Sequence, residues 1–216
     1  MALGFGANAR LIAAFEATYG APPTEDYHRL GFSRYGLSAR QQLIDNDLLG
    51  EGRDPAPAVL GALTCDGEIV VPCDARQIGF WLMALLGEPT TAGTTNFTHT
   101  FESGGAAIPS LALQAINPDV PLRRTHFGAR VDSLTLPLRR DGLTAATLSL
   151  VAQGESTDSA DHDAAPTTYV PLRFGSFQGT IRRDGAALGR VVSAEIVYRN
   201  GLDRIETIRS DGLIDG

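Results

Sequence analysis

Apolar and polar positions along the chain follow the grammar of strands, interrupted once by a helical period. Residues 60–71 form two strand-like pieces around Cys65-Asp66-Gly67, and Asp-Gly is a strong hairpin-turn signal. The period then changes. Asp74 is a good N-cap, residues 75–86 are helix formers apart from Gly79, and Gly87 followed by Pro89 is a stop. Ile78, Phe80, Trp81, Leu82, Met83, Leu85 and Leu86 cover nearly all sides, which predicts a helix buried on most of its surface. Strand patterns return in TTNFTHTF at 94–101, with Phe97, His99 and Phe101 on one face, and again at 111–116. Asp141-Gly142 separates strand-like runs at 130–138 and 143–153, and Asp184-Gly185 separates 179–183 from 191–198. Pattern alone leaves residues 9–15 open between helix and strand. Segments 45–57 and 154–168 read as exposed loop insertions in a single domain spanning 1–216. The predicted fold class is mainly β (α+β): an antiparallel β-sandwich or partly closed β-barrel with one buried helix at about 75–86.

Composition sharpens this picture. The 24 glycines and 12 prolines are spread along all 216 residues, and such punctuation favours many short strands over long helices. No apolar run approaches the ~20 residues of a membrane-spanning helix. No basic n-region precedes an apolar stretch at the start, so no signal peptide is read and a soluble, cytoplasmic protein is expected. The formal charge is −7, from 25 acidic and 18 basic residues, and every basic residue is arginine. An acidic chain is poorly suited to gripping phosphates, though like charge would let it surround DNA without sticking. Two cysteines, Cys65 and Cys73, are too few for a disulfide framework or a four-cysteine zinc site.

Several catalytic patterns fail on context. Gly4-Phe-Gly6-Ala-Asn-Ala9 matches the dinucleotide fingerprint, but only three residues precede it and no strand can feed the turn. Gly31-Phe-Ser33-Arg-Tyr-Gly36 is one residue too long for a nucleophile elbow, and the chain lacks the βα units around one. His28, His99, His126 and His162 fall in unrelated contexts without ligand spacing; His99 reads as a packed or hydrogen-bonded strand residue. The acidic run with Glu155, Asp158, Asp161 and Asp163 lacks the glycine and terminal glutamate of a calcium loop and reads as solvated, with weak cation binding the lesser alternative. No catalytic residue, cofactor or metal ligand is assigned, and no enzyme activity is expected.

An ordered set of segments carries a resemblance. It comprises Gly67-Glu-Ile-Val-Val-Pro-Cys-Asp74, the helix end Leu82-Met-Ala-Leu-Leu-Gly87, Thr90-Thr-Ala-Gly93, Phe97-Thr-His-Thr-Phe101 and Ile108-Pro-Ser110. Together these resemble the tail tube proteins of long-tailed bacteriophages. The opening Gly4-Phe-Gly6-Ala-Asn-Ala9 with Glu16-Ala-Thr-Tyr-Gly20 is similar to the start of that family. Val131-Asp-Ser-Leu134, Gly142-Leu-Thr-Ala-Ala-Thr147 and Val192-Ser-Ala-Glu-Ile-Val-Tyr-Arg-Asn-Gly-Leu202 resemble later strands. Coverage is nearly the whole chain, in order. Two departures stand out. Cys73 occupies a position where a non-cysteine is commoner, and the chain stops at Gly216 where further strands are expected. A short relative or a truncation is therefore expected, and a truncation would leave an edge strand unpaired.

The resemblance implies a structural virion protein, assembled in the bacterial host cytoplasm. Its rings, commonly hexameric, would stack into a hollow tube through which DNA passes as non-specific cargo. Its partners would be further copies of itself and other tail proteins: tape measure, tail terminator and baseplate or initiator, with no membrane. The loop bearing Asp45, Asp47, Glu51 and Asp54 is the candidate ring-stacking or lumen-facing loop. The helix carrying Phe80, Trp81, Leu82 and Leu85 is the expected core plug. A flexible tail, a contractile tail, a gene transfer agent and a prophage remain open, as do hexamer and trimer rings. The alternative from another class is a monomeric β-sandwich binding a small ligand or carbohydrate, which the 7% aromatic content disfavours. A hydrolase using Ser33 is the most remote reading.

Overall fold

A computed structural model describes residues 6–46, 57–105, 107–173, 175, 180–189 and 191–216. In chain order the strands are β1 (Arg10–Phe15), β2 (His28–Leu30), β3 (Arg34–Tyr35), β4 (Ser38–Ile44) and β5 (Val59–Pro72). After α1 (Ile78–Leu86), the one α-helix among the described residues, come β6 (Thr90–Ala92), β7 (Thr98–Thr100), β8 (Leu111–Asn117), β9 (Leu122–Arg139) and β10 (Ala145–Ala152). The series ends with β11 (Gly154–Thr157), β12 (Thr167–Thr168), β13 (Arg182–Arg183), β14 (Ala186–Ala187) and β15 (Ser193–Arg199). Strands hold 47% of the described residues against 6% helix, so the protein is mainly β.

The 18-residue strand β9 is shared by two sheets. Its first half pairs with β8 on one edge and β11 on the other. Its second half pairs with β10 and β15. The first sheet therefore runs β12-β2-β1-β8-β9-β11, and the second runs β15-β9-β10-β5, with β3 and β4 end to end along the far edge of β5. Only the β12–β2 pair is parallel among the described strands. The large sheet does not close into a barrel and is consistent with a β-sandwich.

The main core lies between the sheets. β10 shows why: its residues alternate half-buried and buried, with Ala146, Leu148, Leu150 and Ala152 directed inward. Leu11 and Ala13 of β1 and Leu111 and Leu113 of β8 join the same core. The opposite face of the first sheet is also covered, by a smaller cluster of Ile12, Ala14, Tyr27, Ala112 and Ile116. Strands buried on both faces lose apolar–polar alternation, which is why residues 9–15 read ambiguously; all but Ala9 form β1.

Helix α1 presents Trp81, Ala84 and Leu85 to the main core, and the Phe80 ring packs tilted against Phe15 with centroids 4.7 Å apart. The Asn200 amide donates to the carbonyls of Leu85 and Val131, 2.9 Å each, and so ties the helix end to β9. The helix begins at Ile78, not at residue 75. Asp74 Oδ1 accepts the backbone N–H groups of Arg76 and Gln77, which holds 75–77 as a turn that feeds the helix. Gly87 ends it with φ 94°, its N–H donating to Met83 O.

Two turn expectations need correction. Asp66-Gly67 is not a hairpin: β5 runs unbroken from Val59 to Pro72. A Cβ on Gly67 would lie 2.3 Å from Gly36 O and 2.7 Å from Leu37 Cα, so the glycine is there for close approach of the β3–β4 backbone. Asp184-Gly185 does turn, with φ 51° and 80°, but it joins only the short pair β13–β14. The strand that follows, β15, leaves to pair with β9. The Asp141-Gly142 hairpin forms between β9 and β10 as expected. The run at 94–101 contributes only Thr98–Thr100, paired with β6 in a projecting two-stranded hairpin.

Candidate assembly surface

Strands β4 and β5 form an antiparallel arm. Gly36 N–H donates to Glu68 O at 2.8 Å where the arm bends across Gly67. Behind that bend a buried network anchors it. Tyr35 of β3 donates its hydroxyl to His126 Nδ1 (2.7 Å), and His126 Nε2–H donates to Glu155 Oε2 (3.0 Å). The same carboxylate oxygen accepts Ala39 N–H of β4 at 3.0 Å. The carboxylate accepts only, so His126 carries a proton on Nε2, and a neutral ring then accepts the Tyr35 hydroxyl at Nδ1. Burial lowers the His126 pKa; Glu155 opposes that shift and Arg124 adds to it. Burial likewise pushes the neighbouring Cys65 thiol up to about 12, so it stays protonated.

Beyond this anchor fewer of the described residues flank the arm. The C-terminal segment reaches β5 at two points: Leu63 N–H donates to Gly212 O at 3.1 Å, and Arg204 pairs with Asp66 at 2.8 Å. At the tip, Leu43 pairs with Leu60 on one face and Ile44 with Val59 on the other. All four are 59 to 66% exposed. A ribbon apolar on both faces and bare on both is unusual for a monomer's surface. Strand β15 has the same character: Ile196 and Val197 point to opposite faces and both are exposed. Among the described residues its outer edge pairs with no strand. Such an edge, without lysine or proline to blunt it, is a template for pairing with another chain. Phe97 on the β6–β7 hairpin is a further exposed aromatic.

The residues singled out from sequence divide into several groups. Asp45 is exposed immediately after β4, while Asp47, Glu51 and Asp54 lie outside the described residues. Trp81 and Leu85 are buried; Phe80 and Leu82 are half-buried. Ser33 Oγ donates to Val70 O at 3.3 Å. His99 is exposed and bonds Thr91 Oγ1 at 2.8 Å. Among the described residues no group of three His, Cys, Asp or Glu side chains is placed to hold a metal ion. No helix there is long and apolar enough to cross a membrane.

The acidic segment is the clearest departure from expectation. It is not a solvated loop but a strap across the outer face of the first sheet. Asp161 bridges Arg10 (3.2 Å) and Arg123 (2.5 Å), and Asp163 accepts Tyr27 N–H at 3.1 Å. Asp158 accepts from Thr125 and from Gln114, whose carbonyl in turn takes His162 N–H. Burial works against the Asp158 charge, but the bonds from Thr125 and Gln114, with His162 nearby, outweigh it and hold the carboxyl below its usual range.

Sequence reasoning passed over Leu43, Ile44, Val59, Leu60, Ile196 and Val197. The signal was present: apolar pairs flank the charged stretch 45–57 where a surface loop would begin with polar residues. A comparison with curated proteins gives no significant match. Residues 6–216 match the model of a family described as phage tail tube protein. Nearly the whole chain falls within that match, in a mainly β fold with bare strand edges, and the protein belongs to the phage tail tube family.

Proposed function

We propose that this tail tube protein self-assembles head to tail into rings, commonly hexameric, that stack into a hollow tube through which phage DNA passes. The observation that carries this reading is the β4–β5 tip, apolar and uncovered on both faces in a member of this family. Heterologous contacts close a ring, and complementary top and bottom surfaces let rings stack without limit. The segment 45–57, with Asp45, Asp47, Glu51 and Asp54, joins β4 to β5 in sequence and serves as the ring-to-ring or lumen-facing loop. The net charge of −7 agrees in sign with a lumen that repels phosphates, so that DNA slides. The remaining partners are other tail proteins: tape measure, terminator and baseplate or initiator. The role is structural, with helix α1 plugging the core of one β domain, and assembly takes place in the bacterial host cytoplasm.

The ligand-binding alternative gains no observation. Trp81, the one tryptophan, is buried in the core, and among the described residues the exposed Phe97 makes no ring contact with another aromatic. Sedimentation velocity over a concentration series tests the assembly reading. Wild-type protein should shift to large species with rising concentration. Leu43→Asp with Leu60→Asp should sediment as a monomer with unchanged circular dichroism. A variant that assembles like wild type would refute the role given to the tip.

A further inference from the structure

We propose that neighbouring subunits in a ring join by parallel pairing of β4 of one copy with β15 of the next, making the second sheet continuous from copy to copy. This joint rests on the ring reading above and adds the two surfaces that meet. β15 and β4 are the outermost strands at opposite ends of the second sheet, and each has seven residues. The pairings β15–β9, β9–β10, β10–β5 and β5–β4 are all antiparallel, so four reversals leave β4 and β15 running the same way. A rotation that closes a ring leaves unchanged the component of each strand's direction along the ring axis, so strands that run alike in one copy run alike across the joint. It therefore brings β15 of one copy against β4 of the next in parallel.

The side chains fit one register. On β15, Tyr198 packs against the main core, so Ile196 shares the core-side face and Val197 the outer face. On β4, Ala39 packs against the core, so Leu43 shares the core-side face and Ile44 the outer one. The extra residue near Gly61 lies on β5, and the alternation of β4 is undisturbed. Setting Leu43 beside Ile196 then sets Ile44 beside Val197, one apolar pair on each face. Any slip by one residue would set apolar groups on opposite faces. The same register places Glu195 beside Gln42 and diagonal to Arg40, a favourable charge placement across the joint. Ala39 N–H is already taken by Glu155, so the edge available for pairing is Arg40 to Ile44.

Paired cysteines in the full-length protein test the joint. Leu43→Cys with Ile196→Cys, and separately Ile44→Cys with Val197→Cys, place thiols on the same face of adjoining strands, within the Cα separation a disulfide spans. All four positions are exposed, so the substitutions leave the core untouched. Under mild oxidant each double variant should give a ladder of covalent multimers ending at ring size. An equimolar mixture of the Leu43→Cys and Ile196→Cys single variants should give dimers only. Leu43→Cys with Val197→Cys, on opposite faces, should cross-link at least tenfold more slowly. Three outcomes would overturn the joint: single variants that dimerise with themselves, cross-face linking as fast as same-face linking, or rings in the electron microscope without a ladder. The last would leave the ring reading standing. Neither rings nor ladder at any concentration would overturn both.

Discussion

Replacing Gly67 by alanine adds one carbon where β5 and the β3–β4 bend nearly touch. The new Cβ would sit 2.3 Å from Gly36 O, 2.7 Å from Gly36 C and 2.7 Å from Leu37 Cα. Every one of those atoms is backbone, so no flexible side chain can swing aside. Relief requires the bend to move by roughly 1 Å, since ordinary contact begins near 3.4 Å. Overpacking of this kind costs about 1–3 kcal/mol. The displacement also strains the Gly36 N–H bond to Glu68 O and the Ser33 N–H bond to Val70 O, both 2.8 Å. Losing one backbone bond adds about 1 kcal/mol. The sum, roughly 2–4 kcal/mol, is a sizeable share of a typical stability of ~5–15 kcal/mol. Urea unfolding of the monomer, followed by fluorescence of the single buried Trp81, reads it directly. With a slope of about 2–3 kcal/mol per molar urea, the midpoint should fall by roughly 1 M. A Gly67→Ala midpoint within 0.2 M (about 0.5 kcal/mol) of wild type would refute the close-approach argument.

Three further outcomes are expected. Trp81→Ala should destabilise by ~3–5 kcal/mol in the same urea assay, because the ring is fully enclosed; a loss below about 1 kcal/mol would mean the helix is not a plug. Neutral His126 is favoured in the folded state, so the unfolded chain takes up its proton first as pH falls below about 6.5. Stability should therefore drop as pH falls from about 7 towards 5, and this slope should flatten in His126→Gln. Replacing residues 47–56 by a short Gly-Ser linker should leave the circular dichroism spectrum intact and block tube growth; tubes forming at the normal rate would remove the stacking role.

What the sequence disclosed follows from how local each feature is. Helix α1 was legible because Asp74, the apolar run and Gly87 act within a few residues of one another. The same Asp-Gly rule held at 141–142 and failed at 66–67, where the glycine answers to the backbone of Gly36 and Leu37 some thirty residues away. The acidic strap misled for a similar reason. Glu155, Asp158, Asp161 and Asp163 look solvated until Arg10, Tyr27, Gln114 and His126 are brought beside them by the first sheet. β1 resisted assignment because burial on both faces erased its period. The bare edges were the least visible of all, since exposure of Leu43 or Ile196 depends on which strands lie alongside and not on the residues themselves.

Negative-stain electron microscopy of the purified full-length protein across a concentration series tests the central claim most directly. Self-assembly predicts rings or hollow tubes of one uniform diameter, lengthening as concentration rises. Isolated particles of monomer size at every concentration would contradict it.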